Sequence, residues 1–224
     1  MTQPTRYTRG RTAILHILTG CILTFFVFCA AVVFTLNFRP LYYMDIGLLH
    51  IPESSGYTED VIRDNYDALI DYNSIFYNAE LSFPDLPMSE SGRIHFEEVK
   101  DLFALFQYGA AIFGILTVLL LTVLRRIHEK TGSRNYFFLK LSAILTVALP
   151  AVFGLAIAVN WEGFFVAFHR LMFDNDYWIF DAATDPVITI LPDAFFMHCA
   201  LMILAIILAA CGIMTLLYRR LGKK

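Results

Sequence analysis

Two histidines, His95 and His169, are the residues of this sequence whose type and position best suit chemistry. His95 lies just before a long apolar run and His169 lies shortly after another. Imidazole can take up or release a proton near neutral pH, so two histidines can supply a base and an acid. An ionisable residue beside such a run is a candidate functional residue by default. The alternative is that each histidine only hydrogen bonds buried carbonyls at the end of a helix.

The apolar runs beside these histidines are long enough to cross a membrane. The chain has 224 residues, of which 58% are hydrophobic, and its mean hydropathy is +0.60. These values are too apolar for a soluble domain of this size. A helix needs about 20 apolar residues to cross a bilayer, and four runs reach that length: 13–36, 104–124, 137–159 and 194–217. We therefore expect an all-α membrane protein with four transmembrane helices.

The charged residues indicate how these four helices are oriented. Segments 1–12, 125–136 and 218–224, together with Lys140, carry 12 of the 17 basic residues, and Glu129 is the only acidic residue among them. The basic residues are Arg6, Arg9, Arg11, Arg125, Arg126, Lys130, Arg134, Lys140, Arg219, Arg220, Lys223 and Lys224. The positive-inside rule places these segments, and hence both termini, in the cytoplasm.

The two long segments, 37–103 and 160–193, are then expected to form a cap on the outer, extracellular face. Functional residues often lie on such long connections. The other 19 of the 20 acidic residues lie in these two segments. This acidic face excludes nucleic-acid binding, which requires basic residues interleaved with aromatic ones. The basic inner face suits contact with anionic membrane lipid.

The first outer segment, 37–103, contains two predicted helices separated by an extended stretch. Apolar residues recur at helical spacing from about 59 to 76, and Thr58 is a suitable N-cap. Two prolines enforce an extended chain over 81–88.

The second predicted helix of that segment begins after Ser89 or Ser91 and runs directly into the second span. His95 and Glu98 share one face of it, because residues three apart are neighbours on a helix. Glu98 could orient the imidazole of His95, or the two side chains could form a solvated patch.

In the second outer segment, 160–193, the apolar stretch after Asn160 is too short to span the membrane and too apolar for a loose loop. Trp161 is an aromatic residue of the kind found at membrane interfaces. Apolar side chains such as Phe164 and Phe168 form a stripe, and His169 lies on another face. We expect an interfacial or re-entrant helix here.

The remaining histidines and the cysteines have simpler interpretations. His128 is expected at the cytoplasmic surface, His16 near the inner end of the first span, and His50 in a structural role in an outer loop. His198 lies one turn into the fourth span and could face the same cavity as His95 and His169. All four cysteines lie within predicted spans, which favours buried packing residues over disulfides.

A metal site is an alternative use of the two histidines. Imidazole together with Asp85, Glu98 and Asp174 could ligate zinc, although no closely spaced pair of histidines supports this.

Two stretches of the outer segments resemble the bacterial lipoprotein intramolecular transacylase family. They are LSFPDLPMSESGRIHFEEVKDLF, which begins at Leu81, and FVAFHRLMFDNDYWIFDAATDPVITILPDAFF, which begins at Phe165. The likeness extends over the whole chain, including the number and order of the spans. It is specific in these two stretches and weak within the spans.

The resemblance implies one acyl transfer in the bacterial cell membrane, at a site facing the outer leaflet. The sn-2 acyl chain of a diacylated lipoprotein moves to the free α-amine of its N-terminal cysteine, giving a lyso-form lipoprotein. The substrate supplies the nucleophile, so the enzyme needs a base and an acid and no metal, nucleotide or other cofactor. His169 would be the principal base, and His95 would position it or act as the acid. A covalent acyl-imidazole is a variant of this mechanism.

Six further residues are expected to support this site or bind the substrate: Asp85, Ser89, Glu98, Tyr177, Trp178 and Asp185. Ser89, Tyr177 and backbone amides near Gly92 are candidate donors to the oxyanion. Two other functions remain open at this point. One is a membrane protein that binds a lipopeptide without changing it, and the other is a metal-dependent membrane hydrolase.

Overall fold

The computed structural model of the chain describes residues 6–132 and 135–222, and the regular secondary structure of this part is helical, with no strand. Arg134, Lys223 and Lys224, which contribute to the expected orientation, lie outside the described residues, as do residues 1–5. The helices of the described part are α1 (Arg6–Asn37), α2 (Pro40–Leu48), α3 (Ile51–Ser55), α4 (Glu59–Tyr72), α5 (Glu90–Thr131), α6 (Phe137–Val159), α7 (Trp161–Met172), α8 (Val187–Ile190) and α9 (Asp193–Leu221).

Four of these helices, α1, α5, α6 and α9, are long and apolar enough to cross a membrane. This confirms the all-α fold with four candidate spans. At most 29% of the most apolar window of each helix is buried within the protein. The rest of each window is exposed apolar surface, which a membrane helix presents to the lipid tails. Helix α6 continues through Pro150, which membrane helices tolerate because neighbouring groups satisfy the freed carbonyl.

The chain divides into two compact units. The first consists of the described parts of Met1–Val32, Tyr108–Phe153 and Leu204–Lys224. Here Thr24 and Ser142 hydrogen bond each other at 3.1 Å within the apolar helices. His16 is only 1% exposed, and its ring stacks 6.0 Å from that of His128. His128 is half-buried.

The second unit consists of Val33–Gln107 and Gly154–Ile203. Both long connecting segments contribute to one core. Tyr42 of α2 is fully buried, stacks 3.7 Å from Tyr66 of α4, and donates a 2.6 Å hydrogen bond to the Ile190 carbonyl of α8. Each large side chain buried in this way stabilises the fold by about 1.5–3 kcal/mol. The two segments are thus packed together, which is a condition for a shared site.

The first of these segments is ordered by local contacts that its sequence encodes. Thr58 caps α4 by accepting a hydrogen bond from the Val61 amide, which confirms the predicted N-cap. The extended stretch after α4 is held by Asn65, whose side chain donates to Asp85 Oδ2 at 2.9 Å. Asn65 Oδ1 also accepts from the Asp85 amide at 3.3 Å.

Candidate active site

The position of His95 is set by the start of α5. Ser89 precedes the helix, and its hydroxyl oxygen accepts a hydrogen bond from the Gly92 amide at 3.0 Å, so Ser89 is the predicted cap. The Ser89 amide donates to Asp185 Oδ1 at 2.8 Å. Asp185 is only 2% exposed, and a carboxylate at a helix N-terminus is stabilised by the helix dipole. A residue of the second segment therefore anchors the helix that carries His95.

The position of His169 is set by α7, which follows α6 after the single residue Asn160. The side chain of Asn160 accepts a hydrogen bond from the Gly163 amide and caps α7. His169 Nδ1 lies 2.8 Å from the Phe165 carbonyl oxygen. Because a carbonyl can only accept, Nδ1 carries the proton in this hydrogen bond. In the neutral ring, Nε2 is then left with a free lone pair, as a general base requires.

The two imidazoles come together, with ring centroids 6.2 Å apart and an interplanar angle of 33°. Phe173 packs against both, at 4.8 Å from His95 and 5.8 Å from His169. Trp178 lies 4.8 Å from His169, and Phe180 lies 5.4 Å from His95. Aromatic rings thus surround both imidazoles, which favours a site that is dry and suited to acyl chains.

Burial controls the protonation of this site. Burial lowers the pKa of His169 below its usual value, while the Phe165 carbonyl and the more distant charge of Asp193 oppose this shift. His169 is therefore neutral at neutral pH and available as a base. His95 is 5% exposed, and its Nδ1 is buried without a hydrogen-bond partner among the described residues.

Two of the supporting residues predicted from the sequence lie close to the imidazoles. Trp178 packs on His169, and its indole nitrogen is buried with no partner in the described part of the chain. Glu98 lies one turn after His95, and its Oε1 accepts a 2.7 Å hydrogen bond from Asn175 Nδ2.

The other predicted residues lie elsewhere. Ser89 and Asp185 meet at the start of α5, where they support His95 through the helix. Asp85 is held against Asn65 on α4. Tyr177 is 42% exposed, and its amide donates to Asn175 Oδ1. Among the described residues, no hydrogen bond joins the Asp85 side chain to either imidazole, and no ring contact joins Tyr177 to them.

His198 has a carboxylate partner of its own. Its Nδ1 donates to Asp45 at 2.8 Å, and Asp45 is 2% exposed. This pair joins α9 to α2.

Several residues of the site were not identified from the sequence. The Phe165 carbonyl, the rings of Phe173 and Phe180, and the side chain of Asn175 all hold or surround the candidate catalytic groups. The density of aromatic residues between Trp161 and Phe180 was the available signal. That density does not say which rings point toward the histidines.

The proposed zinc ligands do not converge. Across residues 6–132 and 135–222, no group of three or more His, Cys, Asp or Glu side chains could hold a metal ion. All four cysteines are free, and of these Cys29 is buried while the other three are half-buried, so the predicted burial is confirmed for Cys29 alone.

Comparisons with known proteins agree with this architecture. The profile of the lipoprotein intramolecular transacylase family, Lit, matches residues 17–196. Among curated proteins, none matches the chain.

Solved structures of the Bacillus cereus membrane-integral lipoprotein intramolecular transacylase Lit match with 38% identity. One superimposes with a TM-score of 0.89, covering 94% of this chain and 95% of that chain. Structures of the same protein with a histidine replaced by arginine or by alanine each have a TM-score of 0.84 and cover 97% of this chain. The match covers 95% of the chain with arginine and 96% of the chain with alanine. On the family profile and these structural matches together, the chain belongs to the Lit family of membrane-integral acyltransferases, the lipoprotein intramolecular transacylases.

Proposed function

We propose that this protein moves the sn-2 acyl chain of a diacylglyceryl-modified lipoprotein to the α-amine of its N-terminal cysteine, giving a lyso-form lipoprotein. His169 and His95 would provide the acid–base catalysis. The observation that carries the proposal is the approach of the two imidazoles to 6.2 Å, with Nδ1 of His169 engaged by a carbonyl. That arrangement leaves one basic nitrogen free beside a second imidazole.

The proposed transfer balances with groups that the substrate and these histidines supply. The neutral amine nitrogen attacks the carbonyl carbon of the sn-2 ester, forming the C–N bond. His169 Nε2 takes the proton from that nitrogen. The imidazolium then gives this proton to the glyceryl oxygen as the C–O bond breaks, leaving an amide and a hydroxyl. His95 relays this proton from His169 to the leaving oxygen, or positions that oxygen.

Three features suit an intramolecular reaction. The amine and the ester belong to one substrate, so holding them together supplies effective molarity without a covalent enzyme intermediate. Positioned proton transfer contributes typically 10²–10⁴-fold. The aromatic surroundings of both imidazoles exclude water, which would otherwise hydrolyse the ester.

We further propose that the site faces the outer leaflet of a bacterial cell membrane, with both termini in the cytoplasm. The distribution of 12 of 17 basic residues supports this orientation. A lipoprotein anchored in the outer leaflet would then enter the site from the lipid, and surrounding membrane lipid would be the second partner.

Substitution of His169 tests the proposed catalysis. His169→Asn is expected to abolish conversion of a synthetic diacyl lipopeptide to an isomer of unchanged mass that carries one acyl chain on nitrogen in its fragment spectrum. His50→Asn is the matched control, because His50 is exposed and has a φ of 52°, which asparagine tolerates. Formation of the N-acyl isomer by purified His169→Asn protein would show that the assignment is wrong.

A further inference from the structure

Glu98 has one carboxylate oxygen that is held in place and one that is not. Oε1 accepts a hydrogen bond from Asn175 Nδ2 at 2.7 Å. Oε2 is buried and has no hydrogen-bond partner among residues 6–132 and 135–222. A buried acceptor without a partner is costly and uncommon in folded proteins, so it calls for an explanation.

The hydrogen bond between Glu98 and Asn175 joins the two sides of the candidate site. Glu98 follows His95 by one turn of α5, so both side chains lie on the same face of that helix. Asn175 is three residues before Trp178, which packs on His169. Asn175 Oδ1 accepts from the Tyr177 amide at 3.0 Å, which fixes the direction of its amide. Glu98 therefore links the helix that carries His95 to the segment that carries Trp178.

Cations next to Glu98 on α5 already have other partners. Arg93 pairs with Glu90 and Glu97. Lys100 donates to the Tyr77 carbonyl at 2.7 Å. In the described structure, neither forms an ion pair with Glu98, which leaves Oε2 able to pair with a cation of a bound molecule.

We propose that Glu98 Oε2 binds the protonated α-amine of the substrate's N-terminal cysteine. This inference rests on the proposed function, which supplies a substrate with that amine. A primary ammonium has three N–H donors, so one can bond to Glu98 while the nitrogen remains beside the imidazoles. That N–H gives its proton to Glu98 Oε2 before the neutral amine attacks, and Glu98 releases the proton to solvent as the product leaves. Glu98 is then a specificity residue, because acylation removes the positive charge and with it the attraction. The carboxylate favours the substrate over the amide product and helps the product to leave.

The test compares binding of two synthetic diacyl lipopeptides that differ only at the α-amine, which is free in one and acetylated in the other. Binding is measured in the His169→Asn background, where the free-amine peptide is not consumed. A charge-assisted hydrogen bond corresponds to roughly 10- to 100-fold in affinity. We expect His169→Asn protein to prefer the free-amine peptide by that factor, and the double variant with Glu98→Gln to bind both peptides alike.

Glu97→Gln, also in the His169→Asn background, is the matched control. Glu97 is the neighbouring carboxylate and pairs with Arg93 on the exposed side of α5, so this variant should keep the preference. A preference that survives Glu98→Gln would overturn the inference. Equal binding of both peptides by the His169→Asn protein would also overturn it, whether or not the Glu98 variant folds.

Wild-type conversion of the free-amine peptide is measured in parallel. If wild type makes no N-acyl isomer, the proposed function is wrong, and this result is separate from the binding test of Glu98.

Discussion

Gly92 is the position in α5 where the smallest substitution should disturb the site most. A Cβ atom added there would lie 2.2 Å from Asp185 Oδ1 and 3.3 Å from Cε1 of Phe180. Asp185 is 2% exposed and has little space to move. Gly92→Ala must therefore displace the carboxylate that accepts from the Ser89 amide, or shift the start of α5 itself.

The expected loss in the free energy of unfolding follows from these two alternatives. Overpacking a filled site typically destabilises a protein by about 1–3 kcal/mol. Losing a hydrogen bond to a charged group costs about 1.5–3 kcal/mol. We expect the two effects to overlap, so that Gly92→Ala destabilises the protein by about 2–5 kcal/mol. Because Phe180 also packs on His95, the substitution should move the imidazole as well. A displacement of about 1 Å can cost a factor of about 10² in rate.

Thermal unfolding of the purified protein and its rate of lipopeptide conversion measure both effects. Gly92→Ala should lower the unfolding midpoint by roughly 5 °C or more and reduce kcat at least about tenfold. Gly47→Ala is the control, because nothing lies within 4 Å of a Cβ at Gly47. It should be neutral or stabilising by up to about 1 kcal/mol. Wild-type stability and activity in Gly92→Ala would refute the packing argument.

Three other predictions concern the surroundings of the imidazoles. Burial lowers the pKa of His169 below its usual 6.5. As the pH falls, the log of kcat/KM should therefore drop with unit slope below the amine pKa of about 7.7–8.0, and the slope should steepen only below pH 6.5. A steeper slope already present above pH 6.5 would contradict this. Trp178→Ala should reduce kcat more than tenfold, and Trp178→Phe should retain most of it, because the ring packs on His169; equal rates in the two variants would argue against that role. Asp85→Ala removes the hydrogen bond from Asn65 to the Asp85 carboxylate and should destabilise the protein by about 1–2 kcal/mol in thermal unfolding. It should change kcat by less than about threefold. A larger loss of kcat without a change in stability would place Asp85 in the site.

The spans and the local helix signals were predictable because they depend on contiguous residues. Long apolar runs predicted four membrane helices. The helix periodicity and the Thr58 cap predicted α4. Two serines, Ser89 and Ser91, were candidates for the start of α5, and Ser89 is the one that caps it. His95 and His169 were found because ionisable residues beside apolar runs are uncommon and costly there.

The interior of the site was not predictable because its contacts join residues far apart in sequence. Asn175 and Glu98 are separated by 77 positions, and no periodic pattern relates them. Asp85 has the residue type expected of a catalytic or metal-binding group, yet its side chain holds the backbone next to α4. Which of many aromatic residues surround the imidazoles depends on how the two connecting segments pack.

A crossover experiment with labelled substrates tests the central claim most directly. Purified protein in lipid is given two diacyl lipopeptides of different peptide mass, one of which carries an isotopically labelled sn-2 chain. We predict that each product keeps the mass of its substrate and that the label appears on nitrogen only in the peptide that carried it. Release of free fatty acid, label on the other peptide, or unchanged substrate would contradict intramolecular transfer.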